Sequence, residues 1–197
     1  YIWCLTNMDV GTTCGCEKCR ELKEIYGCAT AQWIWYGNDV YSGVKEYLNT
    51  PEAKEYFSDY FIANFKLSIG FYWGYIDAPA QKNSKGQFVP IENEDYPSVV
   101  MQDGIIGHVA PIDTLFQRSM YDEANKVYYE QLAKIAALCT EMDLWTYSTN
   151  FHAYMYPYDM FNSMQENYQI WHNEFHVTSM VDEIQNVVRH KGGVQLV

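Results

Sequence analysis

Short apolar segments that favour β-strands alternate along this chain with longer segments that favour helices. This alternation predicts a parallel sheet, because two parallel strands need a long crossover connection that is usually helical. The predicted strands are 2–6, 67–75, 99–102 with a continuation to 109, 144–149 and 177–181. The predicted helices are 31–48, 52–64, 122–140, 158–175 and 180–190. The sequence therefore predicts an α/β fold.

The predicted strands are strongly apolar and carry no polar device that would protect a sheet edge, which favours part of a (β/α)₈ barrel over a complete open sheet. Such a barrel normally has about 250 residues, whereas this chain has 197. We therefore expect a single domain, 1–197, that forms the C-terminal half of a TIM-type barrel. The missing N-terminal part of the same polypeptide would then complete it.

Two further segments, one at a helix start and one between strands, have compositions that predict their local structure. Thr50 and Pro51 are suited to the N-cap and the first turn of a helix, which predicts a helix start there. The stretch 78–97 is rich in polar residues, Gly and Pro and has no periodicity, so it is expected to be a long loop after a strand.

The charge of the chain limits its partners. There are 13 Lys and Arg against 25 Asp and Glu, which gives 13 − 25 = −12. This excess of negative charge argues against binding to a nucleic-acid backbone or an anionic membrane. No apolar run reaches the roughly 18 residues of a membrane-spanning helix, so no membrane span is expected.

The aromatic content points to another kind of partner. The chain contains 18 Tyr, 9 Phe and 6 Trp. Surfaces rich in Tyr and Trp commonly bind ligands that are apolar on one face and hydroxylated at the edge, as sugars are. The alternative is a large core with tyrosines at its rim, and composition alone leaves both open.

Three cysteines, Cys14, Cys16 and Cys19, lie within six residues. Thiolates at this spacing can converge on one soft cation such as zinc, and Cys28 or Cys4 would supply a fourth ligand. One or two disulfides are an equally good interpretation if the protein is exported. The role is structural in both interpretations. No cofactor is expected to be required, and a structural zinc ion belongs only to the metal interpretation. Cys139 lies in an apolar helical run and is expected to be a buried small hydrophobe.

Three motifs follow one another along the chain. They are Asn7-Met8-Asp9 with the cysteine run, Phe71-Tyr72-Trp73-Gly74-Tyr75, and Leu144-Trp145-Thr146-Tyr147-Ser148-Thr149-Asn150-Phe151 with Tyr154 and Pro157. The order of these motifs resembles an uncharacterised family of bacterial proteins from gut Bacteroidetes and their relatives. This family is a domain of unknown function with a glycoside-hydrolase-like barrel, and it looks related in architecture to barrel-type α-glucuronidases and β-hexosaminidases. The resemblance implies a secreted or periplasmic protein that acts on a glycan or oligosaccharide.

The candidate site follows from the expected barrel, in which active-site residues lie at the carboxyl ends of the strands. Glycoside hydrolysis needs two carboxyl groups, and a histidine can assist as an acid or base. The candidate catalytic residues are Asp9, Asp77, Asp103 and His108. The candidate substrate-binding residues are Asn7, Tyr72, Tyr75, Trp145, Tyr147, Asn150, Phe151 and Tyr154.

These side chains also have ordinary structural interpretations. Each aspartate is suited to a turn or a helix cap, and a lone histidine is more often structural than catalytic. About half of the aromatic residues on strands should point into the barrel core. Three hypotheses follow: a glycoside hydrolase acting on a complex glycan, a carbohydrate-binding barrel without catalysis, and a protein with a zinc-thiolate site.

Overall fold

The structure, a computed structural model, describes residues 2–5, 14–147 and 161–183. The strands in these ranges are β1 (Ile2–Leu5), β2 (Lys66–Phe71), β3 (Ala80–Lys82), β4 (Phe88–Pro90), β5 (Ile105–Val109), β6 (Met142–Tyr147) and β7 (Val177–Glu183). The helices are α1 (Glu17–Tyr26), α2 (Thr30–Leu48), α3 (Pro51–Tyr56), α4 (Asp59–Ala63), α5 (Lys126–Ala136) and α6 (Phe161–Phe175).

Five strands form one parallel sheet in the order β1-β2-β5-β6-β7. Every strand of this sheet therefore lies beside the next sheet strand along the chain. Three of the four connections contain at least one α-helix, whereas the connection from β2 to β5 contains a 3-10 turn and the strands β3 and β4. The predicted α/β fold with a parallel sheet and helices is confirmed, and a helix between every pair of strands is not. The remaining two strands, β3 and β4, form a separate antiparallel hairpin.

The helices pack against one face of the sheet. Gly37 of α2 lies directly over Ile69 of β2, and Gly107 of β5 lies close to Ile135 of α5 and Cys139. One buried cluster joins α2, α5 and α6 to alternate sheet positions, which are Leu67, Ile69, Phe71, Ile105, Val109, Met142 and Leu144. The intervening positions Ser68, Ile106, His108 and Asp143 do not belong to that cluster. Since side chains alternate across a strand, these residues define a second face.

Two predicted strands have different limits. Residues 99–102 do not form a strand: the Met101 N–H bonds the carbonyl of Leu138, and Gly104 has a φ of 94°, so the extended strand begins only at Ile105. The strand predicted at 67–75 ends at Phe71, where a 3-10 turn over Trp73–Tyr75 follows.

The helix predictions need four corrections. The helix predicted at 122–140 is shorter, because a 3-10 turn over Glu123–Asn125 precedes α5 and α5 ends at Ala136. Thr50 caps α3 as expected, since its side chain accepts from the Ala53 N–H, but the helix stops before the extended residue Phe57 and Ser58 caps a separate α4. The sequence reasoning missed α1 entirely. The helix predicted at 180–190 is wrong at its start, because residues 180–183 pair with β6 as part of β7, and the rest of it lies outside the described residues.

The segment 78–97 is not a structureless loop. It contains the β3–β4 hairpin, whose turn uses Asn83 as an acceptor for the N–H groups of Lys85 and Gln87. The turn is completed by Gly86 with a φ of 79°, a conformation that glycine adopts without strain. The hairpin packs on α5.

The connection after β5 is fixed by two buried amides. Asn125 accepts from the Leu115 N–H and donates to the carbonyls of Leu115 and Ser119. Asn167 of α6 accepts from the Met120 N–H at 2.8 Å. These bonds hold a segment that leaves the carboxyl end of the sheet. Among the helices described, none has the length and apolar character needed to cross a membrane.

Candidate functional site

The central feature of the second face is a histidine-carboxylate pair. His108 of β5 and Asp143 of β6 are partners in the register of two neighbouring strands. Nδ1 of His108 lies 2.5 Å from Oδ1 of Asp143, and the two side chains are only 12 and 14% exposed. The strand pairing thus places the two groups together, and partial burial shields their interaction from solvent.

Trp145 completes one wall of this group. It lies two residues beyond Asp143 on β6, so it projects from the same face of the sheet. Its ring meets the His108 ring edge to face, with the ring centres 5.8 Å apart. We call His108, Asp143 and Trp145 the inner-face group.

A buried hydroxyl lies on the same face. Ser68 of β2 pairs with Ile106 of β5, and both residues are 2% exposed. Within the residues that the structure describes, the Ser68 hydroxyl has no hydrogen-bond partner. The second face therefore carries the polar side chains of Ser68, His108 and Asp143 beside the apolar Ile106.

The chemistry of the pair follows from its geometry. When Asp143 accepts from Nδ1–H, the neutral imidazole of His108 keeps the lone pair on Nε2. That nitrogen can accept a proton or a hydrogen bond from a ligand hydroxyl, and after protonation it can donate one. Trp145 adds an apolar ring surface beside it. The arrangement can therefore bind and polarise a hydroxylated ligand.

The structure separates two of the predicted catalytic aspartates from His108. Asp77 follows β2, but its side chain is 57% exposed and forms an ion pair of 2.6 Å with Lys134 of α5, on the helix-covered side. Asp103 precedes Gly104 and β5, so it lies at the amino end of the strand. Neither aspartate joins the inner-face group.

The predicted aromatic residues also separate. Tyr75 is buried against α2, where it lies 5.6 Å from Trp33 between ring centres and accepts from Nε2 of Gln32. Tyr72 is half-buried and packs against the core cluster. Tyr75 therefore contributes to packing against α2. Trp145 is likewise a partly buried residue in contact with the core cluster, and it also contacts His108 in the inner-face group.

Six of the predicted site residues lie wholly or partly outside the part of the chain that the structure describes. Tyr147 is the last residue of β6 and pairs with Glu183 of β7, which places its backbone at the carboxyl edge of the sheet. Five others lie outside the described residues, namely Asn7, Asp9, Asn150, Phe151 and Tyr154.

Sequence reasoning missed Asp143 and Ser68. The signal for Asp143 was present, because it is a charged residue between Met142 and Leu144 in an otherwise apolar strand. A carboxylate at such a position needs a buried partner. Ser68 gave no comparable signal, since a serine is common in strands.

A second group of chemical interest is the thiol cluster, which we define as Cys14, Cys16 and Cys19. Their sulfur atoms all lie within 4.8 Å of one another at the start of α1. Cys14 and Cys16 are exposed and Cys19 is partly exposed, and all three are free thiols. Cys28, predicted as a fourth ligand, is buried and is not part of the cluster.

The three sulfurs influence one another. The pKa of Cys16 is lowered, first by a hydrogen bond from the Cys19 backbone N–H and then by hydrogen bonds with the Cys19 and Cys14 thiols. Burial first, and then hydrogen bonds with the Cys16 and Cys14 thiols, together raise the pKa of Cys19 to about 12. Cys16 is therefore the first of these two to become a thiolate.

Comparison with known proteins gives one match. The sequence model of a family described as "Domain of unknown function (DUF4838)" matches residues 92–196, which is more than half of the chain. The chain belongs to the DUF4838 family. No curated protein and no solved structure matches it.

The DUF4838 match contains only part of the features described above. It includes β5, β6 and β7, and with them the whole inner-face group. The thiol cluster, Tyr72, Tyr75 and Asp77 all precede residue 92. The inner-face group is therefore the candidate site that lies within the DUF4838 region.

Proposed function

We propose that this protein is a carbohydrate-active barrel, a glycoside hydrolase that acts on a complex glycan through its inner face. The observation that carries the proposal is the inner-face group: a histidine paired with a carboxylate, beside a tryptophan ring, on the sheet face opposite the helices. Sugars offer hydroxyls to such a pair and apolar C–H surfaces to such a ring.

The sheet supports a barrel of the glycoside-hydrolase type. In a doubly wound open sheet, the strand order reverses and helices cover both faces. Here the five strands follow chain order, and the core cluster joins α2, α5 and α6 to one face. Apart from the connection between β2 and β5, which contains the β3–β4 hairpin in place of a helix, this is the arrangement expected for consecutive strands of a (β/α)₈ barrel, whose inner face is enclosed by further strands. We propose that a preceding part of the same polypeptide supplies them.

The resemblance of the sequence motifs supports two parts of the proposal, a relationship to barrel proteins of gut Bacteroidetes and a secreted or periplasmic location. A complex glycan would be encountered at such a location.

The roles of the residues follow from their chemistry. Trp145 stacks against a sugar ring, Nε2 of His108 hydrogen-bonds a sugar hydroxyl or moves a proton, and Asp143 holds the imidazole in position. Glycoside hydrolysis also needs a pair of carboxyl groups about 5 to 10 Å apart. Asp9 remains our proposal for one of them.

A second function is favoured by one observation. Among the inner-face side chains that the structure describes, Asp143 is the carboxylate, and it is already bound to His108. A face with one engaged carboxylate suits a glycan-binding barrel without catalysis. Binding by the inner-face group is common to both functions, and only turnover separates them.

The experiment is a screen of aryl-glycosides and natural glycans for hydrolysis and binding with the intact polypeptide. Trp145→Ala and His108→Ala should reduce turnover by about 100-fold or more, while Asp77→Asn, on the helix-covered side, should leave it unchanged. Binding without turnover that is insensitive to Asp9→Asn would support the non-catalytic function. Absence of both binding and turnover across the screen would overturn the proposal.

A further inference from the structure

The thiol cluster has a geometry that the glycan proposal does not use. Three sulfur atoms within 4.8 Å of one another are close to the spacing of thiolates around a single metal ion. With Zn–S bonds of about 2.3 Å, sulfurs of a tetrahedral site lie about 3.8 Å apart. Small changes of side-chain torsions would therefore bring all three onto one ion.

We propose that Cys14, Cys16 and Cys19 bind one Zn²⁺ ion through their three sulfur atoms, and that Cys28 is not a ligand. Zinc is the divalent cation that thiolate ligands of this kind commonly bind in proteins. Each thiol that binds the ion releases its proton, so three protons leave when three thiolates form.

The surroundings of the cluster suit a metal site that loads from solution. Cys14 and Cys16 are exposed and Cys19 is partly exposed, so an ion can reach the sulfurs without unfolding the chain. Cys28 is in a different environment: it is buried, and the charged groups that act on its thiol are Asp77 and Lys134. It thus provides a matched control, as does the buried Cys139.

The bound ion would fix the start of α1. Cys16 is the N-cap residue of this helix, and Cys19 lies in its first turn. The same helix buries Leu22 and Tyr26 in a small cluster with Ala31 of α2 and Val99. Metal binding would therefore tie the chain ahead of α1 to a helix already packed on α2.

The test uses the full chain, reduced and incubated with Zn²⁺, followed by metal analysis after removal of free ion. We expect about one equivalent of zinc. Each of Cys14→Ser, Cys16→Ser and Cys19→Ser should weaken zinc binding by about 100-fold or more, whereas Cys28→Ser and Cys139→Ser should bind like the unchanged protein. Replacement by Co²⁺ should give thiolate-to-cobalt charge-transfer absorption in the controls and lose it in the three variants.

Three results would overturn the proposal. One is absence of stoichiometric metal in the reduced chain. Another is loss of zinc in Cys28→Ser equal to that in the cluster variants. The third is a disulfide between Cys16 and Cys19 in the protein as isolated from cells, detected by mass spectrometry of peptides alkylated before reduction. None of these outcomes depends on glycan turnover, so this test is separate from that of the proposed function.

Discussion

Nδ1 of His108 and Oδ1 of Asp143 lie 2.5 Å apart at paired positions of two neighbouring parallel strands. The two residues are 35 positions apart in the sequence, and the helical crossover between β5 and β6 brings them together. Since the strand register sets this contact, it does not depend on the loops at the edge of the sheet. The pair is therefore a rigid element of the candidate site.

Removal of the carboxylate should release the imidazole. In Asp143→Ala we expect the fixed Nδ1–H tautomer of His108 to become a mixture, together with a loss of about 1–3 kcal/mol in the free energy of unfolding, because a buried ring nitrogen loses its partner. Nitrogen-detected NMR of the imidazole and denaturant unfolding measure the two effects. Asp103→Ala, at an exposed position before β5, is the control, and an unchanged tautomer in Asp143→Ala would contradict the assigned bond.

Gly104 should not tolerate a side chain. Its φ is 94°, and an added Cβ would collide with the hydroxyl oxygen of Tyr41. We expect Gly104→Ala to cost about 2–4 kcal/mol of unfolding free energy, from backbone strain and overpacking together.

Gly86→Ala separates these two effects. Gly86 also has a positive φ, of 79°, but no atom of the residues that the structure describes lies within 4 Å of an added Cβ. Strain alone should cost about 1 kcal/mol there. Equal losses of unfolding free energy in Gly104→Ala and Gly86→Ala, measured by chemical denaturation, would contradict the overpacking contribution, because Tyr41 would then move without a loss of stability.

Acid should weaken the contact between Glu141 and the neighbouring strands. The side chain of Glu141 bonds to the Lys66 ammonium and the Thr178 hydroxyl, and these bonds, that of Lys66 first, lower its pKa from the ordinary value of 4.5. A lowered pKa in the folded state contributes stability above pH 4.5, and this contribution disappears as the pH falls through the lowered value.

Glu141→Gln should therefore reduce the loss of stability on acidification below pH 4.5, measured as the unfolding midpoint at a series of pH values. Glu55→Gln, at an exposed position of α3, is the matched control and should keep the pH dependence of the unchanged protein. An identical pH dependence in the two variants would count against the role given to Lys66.

The stability of the loop after β5 should depend on the buried side-chain amide of Asn167. Asn167 is 1% exposed, accepts from the Met120 N–H at 2.8 Å and donates to the Arg118 carbonyl at 2.9 Å. Asn167→Ala leaves buried backbone groups without partners, so we expect a loss of about 2–3 kcal/mol. Asn173→Ala, on the exposed side of the same helix, should change the unfolding free energy by less than about 0.5 kcal/mol.

The main elements of the fold could be predicted because their signals are local. Strands β1 and β7, helix α2 and the Thr50 cap were recognisable from apolar runs, periodicity and capping chemistry. The hairpin of β3 and β4 was missed because its strands are three residues long and its polar composition is that of a loop. Helix α1 was missed because it is ten residues long and buries Leu22 and Tyr26, a pattern too short to give a clear helical period.

The candidate site was less predictable because it depends on pairing between distant segments. His108 was identified from its residue type alone, but its partner required the register of β5 against β6. Asp77 and Asp103 were selected because they lie near strand ends. The sheet edge and the face at which an aspartate lies depend on the exact limits of the strand. Because β5 begins at Ile105 and not near residue 99, Asp103 lies at the amino end of this strand and not at its carboxyl end.

The pairing of β2 with β5 has a consequence for how the family is delimited. The DUF4838 match begins at residue 92, between these two strands, although Leu67 and Ile105 are direct register partners in the centre of the sheet. A fragment beginning there would present the hydrogen-bonding edge of β5 and the apolar surface that α2 covers, and open edges of this kind pair with other chains. The stretch of sequence that defines the homology is therefore smaller than the unit that must fold together.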